Sequence, residues 1–334
     1  MKKALITGIN GQDGSYLAEF LLEKNYEVFG IIKRNSVTES QFSRIDLVRE
    51  RLKLFYADIT DVASLAHVFK DVQPDEIYNL AAQSHVRVSF DQPILTAQIT
   101  GIGTLNVLEA ARLYMPTAKI YQASSSEMFG NSIDEDGFQR ETSAMNPASP
   151  YACAKVFAYN ISRNYRNSYN LFVSNGILFN HESPRRGTNF VSNKVCKEAV
   201  RIKYGLTDKL PMGNMDSKRD WGHAKDYVRA MWMMLQQETP DDFVCATGIP
   251  HSVQDLVEYV FGKLEMDWTK YVEISPRLMR PEELHSLKGD STKLRRTIGW
   301  EPEYTFETML DEMIDYWLVE LKNDKQILAG TQNG

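Results

Sequence analysis

The chain has 334 residues, 43% of them hydrophobic and 25% charged, which excludes a disordered chain and suffices for one large or two modest domains. Its 38 Lys and Arg against 44 Asp and Glu give a net charge of −6, so no overall field draws it to nucleic acid or an acidic membrane, and any phosphate must be held locally. Cys153, Cys196 and Cys245 are widely spaced with no C-x-x-C pair, the apolar run after Lys2 and Lys3 stops at Thr7, and no segment reaches the roughly 18 apolar residues of a membrane span. These features predict a soluble, cytoplasmic protein with no metal site.

From residue 3 to about 180, short apolar runs alternate with amphipathic stretches, the rhythm of βαβ units in a parallel sheet. Strands are predicted at Ala4 to Thr7, Glu27 to Ile32, Leu52 to Ala57, Glu76 to Leu80, Lys119 to Ser124 and Leu171 to Ile177. Helices are predicted at Ser15 to Lys24, with Leu17, Phe20, Leu21 and Leu22 inward, and at Ile99 to Leu113, with Ile102, Leu105, Val107 and Leu108 inward. After residue 180 the rhythm breaks. A loop at 181–187 leads to helices near 189–204 and 224–237, prolines punctuate the remainder, and a helix from Thr305 to about Leu321 precedes a polar tail read as frayed. The organisation is α/β: a Rossmann-type doubly wound parallel sheet over 1–180, with part of 215–250 packing back onto it, and a smaller C-terminal α/β substrate lobe over 181–330.

Gly8-Ile9-Asn10-Gly11-Gln12-Asp13-Gly14 follows the first strand and opens a helix, the setting in which glycines let backbone amides approach a pyrophosphate. Glycines also serve turns that hold no ligand; the first strand-to-helix junction favours a cofactor. A free ribose 2′-hydroxyl would call for Asp or Glu at the end of the second strand. Lys33-Arg34-Asn35-Ser36 stand there instead, suiting a 2′-phosphate, hence NADP rather than NAD, with a solvated basic loop as the alternative. Asp58 and Ile59 follow the third strand, where an adenine edge would lie. Leu80-Ala81-Ala82-Gln83-Ser84 follow the fourth, small enough for close backbone approach and equally suited to plain side-chain contact.

Tyr151 and Lys155 are spaced i, i+4 behind Pro150, which can begin a helix, so both side chains share one face. A neighbouring ammonium and a cationic nicotinamide would bring a phenol of pKa about 10 toward working range. Gln122 to Gly130 spans a strand C-terminus, where Ser125 can hydrogen-bond the oxygen that Tyr151 deprotonates. Glu127 is the discriminating residue: alcohol oxidation needs no carboxylate there, whereas eliminating water needs a base and then an acid, and one carboxyl group can be both. A helix-start or salt-bridge role is its alternative.

Together these residues resemble the extended short-chain dehydrogenases and, within them, the GDP-mannose 4,6-dehydratase family, from the N-terminus to about residue 321. The most specific stretches are Thr7 to Glu19, Tyr78 to Val86, Asn175 to Gly187 and Lys218 to Tyr227. The resemblance implies NADP at Gly8, Gly11, Gln12 and Asp13, with Lys33, Arg34, Asn35 and Ser36 at the 2′-phosphate. Further contacts would come from Asp58, Ile59, Leu80, Ala81, Ala82, Gln83, Ser84, Tyr151, Lys155, His181 and Arg186. It implies a catalytic set of Ser125, Glu127, Tyr151 and Lys155. For the substrate GDP-mannose it implies Ser84, Glu127, Asn180, Lys194, Arg219, Arg280 and Glu283, with the C-terminal lobe closing over the nucleotide. Arginines also suit a diphosphate on chemical grounds, by bidentate contact.

The implied reaction is redox-neutral. Tyr151, supported by Lys155, takes the proton of the hexose 4-hydroxyl as hydride passes from C4 to NADP; Glu127 removes the C5 proton and protonates the leaving 6-hydroxyl; hydride returns at C6 and a proton is returned at C5. The product would be GDP-4-dehydro-6-deoxy-D-mannose. The rivals are a nucleotide-sugar 4-reductase or 4-epimerase of the same fold, and a noncatalytic NADP-sensing protein. Four features depart from the family pattern: Ser125 for a usual Thr, Leu95 for a frequent Tyr, Lys33 for an Arg, and a short stretch between Trp268 and Arg280. A homodimer or homotetramer is implied, with the Lys33 loop involved in the tetramer.

Overall fold

In the computed structural model, which describes residues 1–34 and 41–331, the apolar runs form strands and the amphipathic stretches form the helices between them. In chain order these are β1 (Lys3–Thr7), α1 (Gln12–Glu23), β2 (Glu27–Ile32), β3 (Lys53–Tyr56), α2 (Val62–Val72), β4 (Glu76–Asn79), α3 (Val86–Asp91), α4 (Pro93–Thr96), α5 (Gly103–Tyr114) and β5 (Lys119–Ser125). There follow α6 (Pro150–Tyr169), β6 (Val173–Leu178), β7 (Asn180–Glu182), α7 (Val191–Lys203), β8 (Leu210–Met212), β9 (Lys218–His223), α8 (Ala224–Leu235) and β10 (Asp242–Cys245). The chain closes with β11 (Pro250–Ser252), α9 (Val253–Lys263), β12 (Val272–Ile274), α10 (Thr292–Ile298) and α11 (Phe306–Thr331).

Among the described residues one sheet has seven strands in the order β10-β6-β5-β4-β1-β2-β3, every neighbouring pair parallel. This is the doubly wound Rossmann-type arrangement expected. Side chains alternate across it: Ala4 and Ile6 join the cluster under α1 and α8, while Leu5 joins the one under α2 and α5. Leu17, Leu21, Met231 and Met234 are fully buried between α1, α8 and the sheet, each contributing about 1.5–3 kcal/mol of apolar burial. The strand order reverses between β1 and β4, and open α/β sheets bind ligands in the crevice beyond the strand ends at that point.

A second core, built from Val195, Val200, Trp221, Leu256, Phe261, Met309 and Met313, gathers α7, α9 and α11. Two small sheets, β11-β9-β7 and β12-β8, accompany it and complete the smaller α/β lobe.

Four local expectations differ from the structure. β10 supplies a seventh strand that the short Asp242–Cys245 run did not advertise; buried Asp242 accepts from Asn175 (2.8 Å), Arg166 (2.9 Å) and Tyr159 (3.1 Å), which seats it beside β6. Ile102 is 45% exposed rather than inward, because a π-helical turn over Ala97–Ile102 shifts the periodicity before α5 begins. Phe20 is only partly buried, its ring edge-on to Trp232 at 5.7 Å. The tail after Lys322 continues α11 to Thr331, since no proline interrupts that run. No helix among the described residues is long and apolar enough to cross a membrane.

Candidate functional site

The turn after β1 is built around backbone contacts that side chains would block. Gly8 has φ +69°, and a Cβ there would stand 3.1 Å from the Ala81 backbone at the end of β4. A Cβ on Gly14 would lie 2.3 Å from the Gly8 carbonyl oxygen. Thr7 ties the turn to its neighbour strand: its hydroxyl donates to Asn79 Oδ1 at 2.7 Å and accepts from the Leu80 and Ala81 amides, both at 3.1 Å. α1 then starts at Gln12 with its first amides directed into the crevice.

A cleft of about 420 Å³ opens there, lined by Gly8, Gly11, Gln12, Asp13, Lys33, Asp58, Ile59, Leu80, Ala81, Ala82, Ser84 and Arg186 of the predicted cofactor set. Arg34, Gln83, Tyr151, Lys155 and His181 of that set do not line it. The Gln83 side chain is spent on local bonds, accepting from His85 N (2.6 Å) and donating to Thr96 Oγ1 (3.1 Å). Asn35 and Ser36 lie outside the described residues. Leu95 is 41% exposed on α4 and does not line the cleft.

Sequence reasoning missed Asn10, Arg44, Ile99, Arg185 and Phe190, all of which line it. Arg185 sits inside the family-like stretch and could have been found. Arg44 follows a segment without periodicity, and only the fold brings it to the cleft, where its Nε donates to the Arg185 carbonyl at 2.8 Å.

Charge in the cleft favours an anion. Arg185 pairs with Glu19 (2.6 Å) and Arg186 with Glu182 (3.0 Å). Burial and the neighbouring Arg185 lower the Arg44 pKa, a penalty on its charged form that a bound phosphate would relieve. Lys33 lies 2.9 Å from Asp58, and Thr60 also donates to that carboxylate through its amide (2.9 Å) and hydroxyl (2.8 Å). Burial opposes the Asp58 charge, but these partners outweigh it and lower its pKa.

The four predicted catalytic residues meet beyond β5. Ser149 caps α6, accepting from Ala152 N at 3.1 Å, and Pro150 occupies the first turn, so Tyr151 and Lys155 emerge on one face as the spacing predicts. The Ser125 hydroxyl neighbours the Tyr151 phenol and favours its ionised form. The Ser125 hydroxyl also accepts from Glu127 N at 3.3 Å. Lys155 Nζ donates to the Ala123 carbonyl at 2.7 Å and lies 5.8 Å from the Tyr151 ring centroid.

The lysine is thus anchored to the β5 backbone on the side of the Tyr151 ring. Burial pushes the Tyr151 pKa up to about 12 despite the Ser125 hydroxyl, and burial pulls Lys155 down to about 8. The expectation joined the lysine to a cationic nicotinamide, and the buried phenol leaves that second cation a part to play.

Glu127 is buried beside this pair, with Arg280 Nη1 at 3.2 Å from Oε1 and 3.4 Å from Oε2. Arg219, also buried, donates to the Leu284 carbonyl at 3.0 Å and approaches Glu283 at 3.7 Å. Burial lowers its pKa to about 10 while the Glu127 charge opposes that shift. Thus Glu127, Arg219, Arg280 and Glu283 share one corner. Asn180 opens β7 in register with Trp221, and the Lys194 ammonium donates to the Pro211 carbonyl.

A family model described as GDP-mannose 4,6 dehydratase matches residues 5–313. The chain is 49% identical over 339 residues to GDP-mannose 4,6 dehydratase 2 of Arabidopsis thaliana, covering 98% of this chain and 90% of that one. It is 46% identical over 349 residues to the GDP-mannose 4,6-dehydratase of Vibrio cholerae, covering 94% and 93%. Among solved structures, the UDP-glucose 4-epimerase of Thermotoga maritima superposes with a TM-score of 0.85 at 22% identity, over 96% of this chain and 99% of that one, a likeness of fold alone. The whole-length family match and the relatives near half identity agree: the chain belongs to the GDP-mannose 4,6-dehydratase family.

Proposed function

We propose that the protein converts GDP-D-mannose to GDP-4-dehydro-6-deoxy-D-mannose with loss of water, using a tightly held NADP. The observation that carries the reading is the buried corner where Tyr151, Ser125 and Glu127 converge beside the anion-favouring cleft. The residues of that cleft fit a dinucleotide: a turn only glycine can make at Gly8, helix amides at its floor, and Arg44, Arg185 and Arg186 around it. NADP rather than NAD is supported by Lys33 and Arg34 at the end of β2, where a ribose 2′-hydroxyl would call for a carboxylate. The nearest carboxylate, Asp58, is already held by Lys33 and Thr60.

When bound, the nicotinamide supplies a reversible hydride acceptor and the positive charge that Tyr151 needs beside its hydroxyl. Tyr151 takes the proton from the hexose 4-hydroxyl, with Ser125 steadying that oxygen. A ketone at C4 acidifies the C5 hydrogen. Glu127 removes it and returns a proton to the departing 6-hydroxyl, so one carboxyl group alternates as base and acid; C6 then receives back the hydride lost from C4 and a proton is returned at C5, which closes the redox-neutral balance. Arg219 and Arg280 supply the guanidinium pair for a diphosphate, with Asn180, Lys194 and Glu283 at the nucleotide-sugar side.

A second copy of the chain is the proposed partner, supported by the exposed apolar Ile94, Leu95, Ile102 and Phe157 along α4 to α6. Free Cys153, Cys196 and Cys245 support a cytoplasmic location.

The test is purified protein with GDP-mannose and no added reductant, followed for a 4-keto-6-deoxy product. Glu127→Gln is expected to lower product formation about 10²–10⁴-fold. Undiminished turnover in that variant would favour the 4-reductase or 4-epimerase instead, and a wild type that binds NADPH but turns over no nucleotide sugar would favour the noncatalytic sensor.

A further inference from the structure

His181 and Asp13 meet beneath the glycine turn, and their geometry dictates a protonation state. Ring Nδ1 lies 2.7 Å from the Phe179 carbonyl oxygen, and Nε2 lies 2.9 Å from Asp13 Oδ2. A carbonyl and a carboxylate only accept, so both ring nitrogens must donate, and a neutral imidazole has a single N–H. Between the two partners the ring is the stronger base, so the shared proton stays on it. His181 also stacks on Tyr227, centroids 4.5 Å apart and planes at 21°, the face contact that a cation favours. Burial opposes a charged ring, but the Asp13 charge and hydrogen bond outweigh it and raise His181; the same contact, with Gln12 and Arg186, holds Asp13 low against its own burial.

The surroundings are otherwise balanced. On α1, Gln12 Nε2 donates to Asp13 Oδ1 at 3.0 Å and to the His181 carbonyl at 3.1 Å. After β7, Arg186 faces the ring but is itself paired with Glu182. Lys155 and Tyr151 of α6 and Tyr121 of β5 sense the Asp13 charge, and Tyr227 of α8 covers the ring.

We infer that His181 is a positioning residue, held as an imidazolium, which cancels the Asp13 charge where the glycine turn receives a diphosphate. Asp13 lines the cleft in the first turn of α1. Unpaired, its carboxylate would sit at the positive end of that helix and repel the phosphates the turn is shaped to hold. The inference rests on the dinucleotide reading of the cleft. Its pH window follows from the directions of shift. The ring is fully charged below the ordinary histidine value of about 6.5 and loses its proton only as pH rises through its raised value. Asp13 stays ionised throughout, losing charge only as pH falls below about 3.8. Dinucleotide affinity is therefore expected to be fully present below the ordinary histidine value and to fall as pH rises through the raised one.

Two measurements test this. Nitrogen-15 spectra of histidine-labelled protein without dinucleotide, with His181→Gln assigning the signal among six histidines, should show both His181 nitrogens protonated at pH 7. A neutral ring there overturns the proposal, whatever the cleft binds. By NADPH fluorescence at neutral pH, His181→Gln should bind about tenfold more weakly, about 1.4 kcal/mol, and lose the fall with rising pH. Asp13→Asn combined with His181→Gln, having no charge left to cancel, should return to within about threefold of wild type. A double variant as weak as His181→Gln, or a fall with rising pH that persists without the ring, overturns the proposal. Wild-type protein that ignores NADPH overturns the cofactor reading and the purpose assigned to the pair, while its charge is still read from the spectra.

Discussion

The Ser125 hydroxyl stands between two groups, beside the Tyr151 phenol and accepting from the Glu127 amide. It thereby links the two groups to which the proposed reaction assigns the 4-hydroxyl and the C5 proton. Ser125→Ala is expected to lower kcat about 10²-fold with little change in KM, whereas Ser125→Thr, which keeps the hydroxyl, should stay within about threefold of wild type; steady-state kinetics separates the two. These residues were legible because each has a chemical reason for its type and a place at a strand or helix end. Arg44 had neither signal. Nothing in a stretch without periodicity says which arginine will reach across to the Arg185 carbonyl.

At the scale of elements, α6 delivers Tyr151 and Lys155 from its first turn, so its start is both a stability and a function determinant. Removing the Ser149 cap by Ser149→Ala is expected to cost about 1 kcal/mol in urea denaturation and to reduce kcat, since the fraying turn is the one that carries the phenol. α11 is fixed differently. His223 Nδ1 accepts from Lys225 N at 3.0 Å, so Nε2 carries the proton and donates to Glu312 at 2.7 Å, and Lys225 Nζ adds a contact at 3.1 Å. Led by the His223 bond, these partners hold the Glu312 pKa down to about 2. A depressed carboxylate contributes stability above its unfolded value of about 4.3 and loses it as pH falls through the folded one. Glu312→Gln should therefore be less stable by about 1 kcal/mol at neutral pH, after allowance for its 34% exposure, with the gap closing as pH falls from about 4.5 toward 2. A gap independent of pH would show that the ion pair is not the source.

At the scale of the whole molecule, two cores meet at the site. The sheet supplies the glycine turn, β5 and α6, while Arg219 of β9 and Arg280 come from beyond β6 and close on Glu127. The exposed apolar faces of α4 to α6 lie away from the cleft. A charge placed there, as in Phe157→Glu, is expected to halve the mass found by light scattering while leaving the thermal transition of the monomer within a few degrees. An unchanged mass would remove that face from the proposed self-association.

The order of strands and helices through β6, the glycine turn, and the pairing of Tyr151 with Lys155 follow from local pattern, because periodicity, capping and turn chemistry act over a few residues. Those features the chain determined by itself. Only the tertiary structure decided that β10 extends the sheet, that Arg44 and Arg185 meet at the cleft, that Lys155 is anchored to the Ala123 carbonyl, and that His181 grips Asp13 from a distant part of the chain. Each depends on burial and on contacts between segments far apart in sequence. Desolvation, which raises Tyr151 and lowers Lys155, has no value until the surrounding layers are in place.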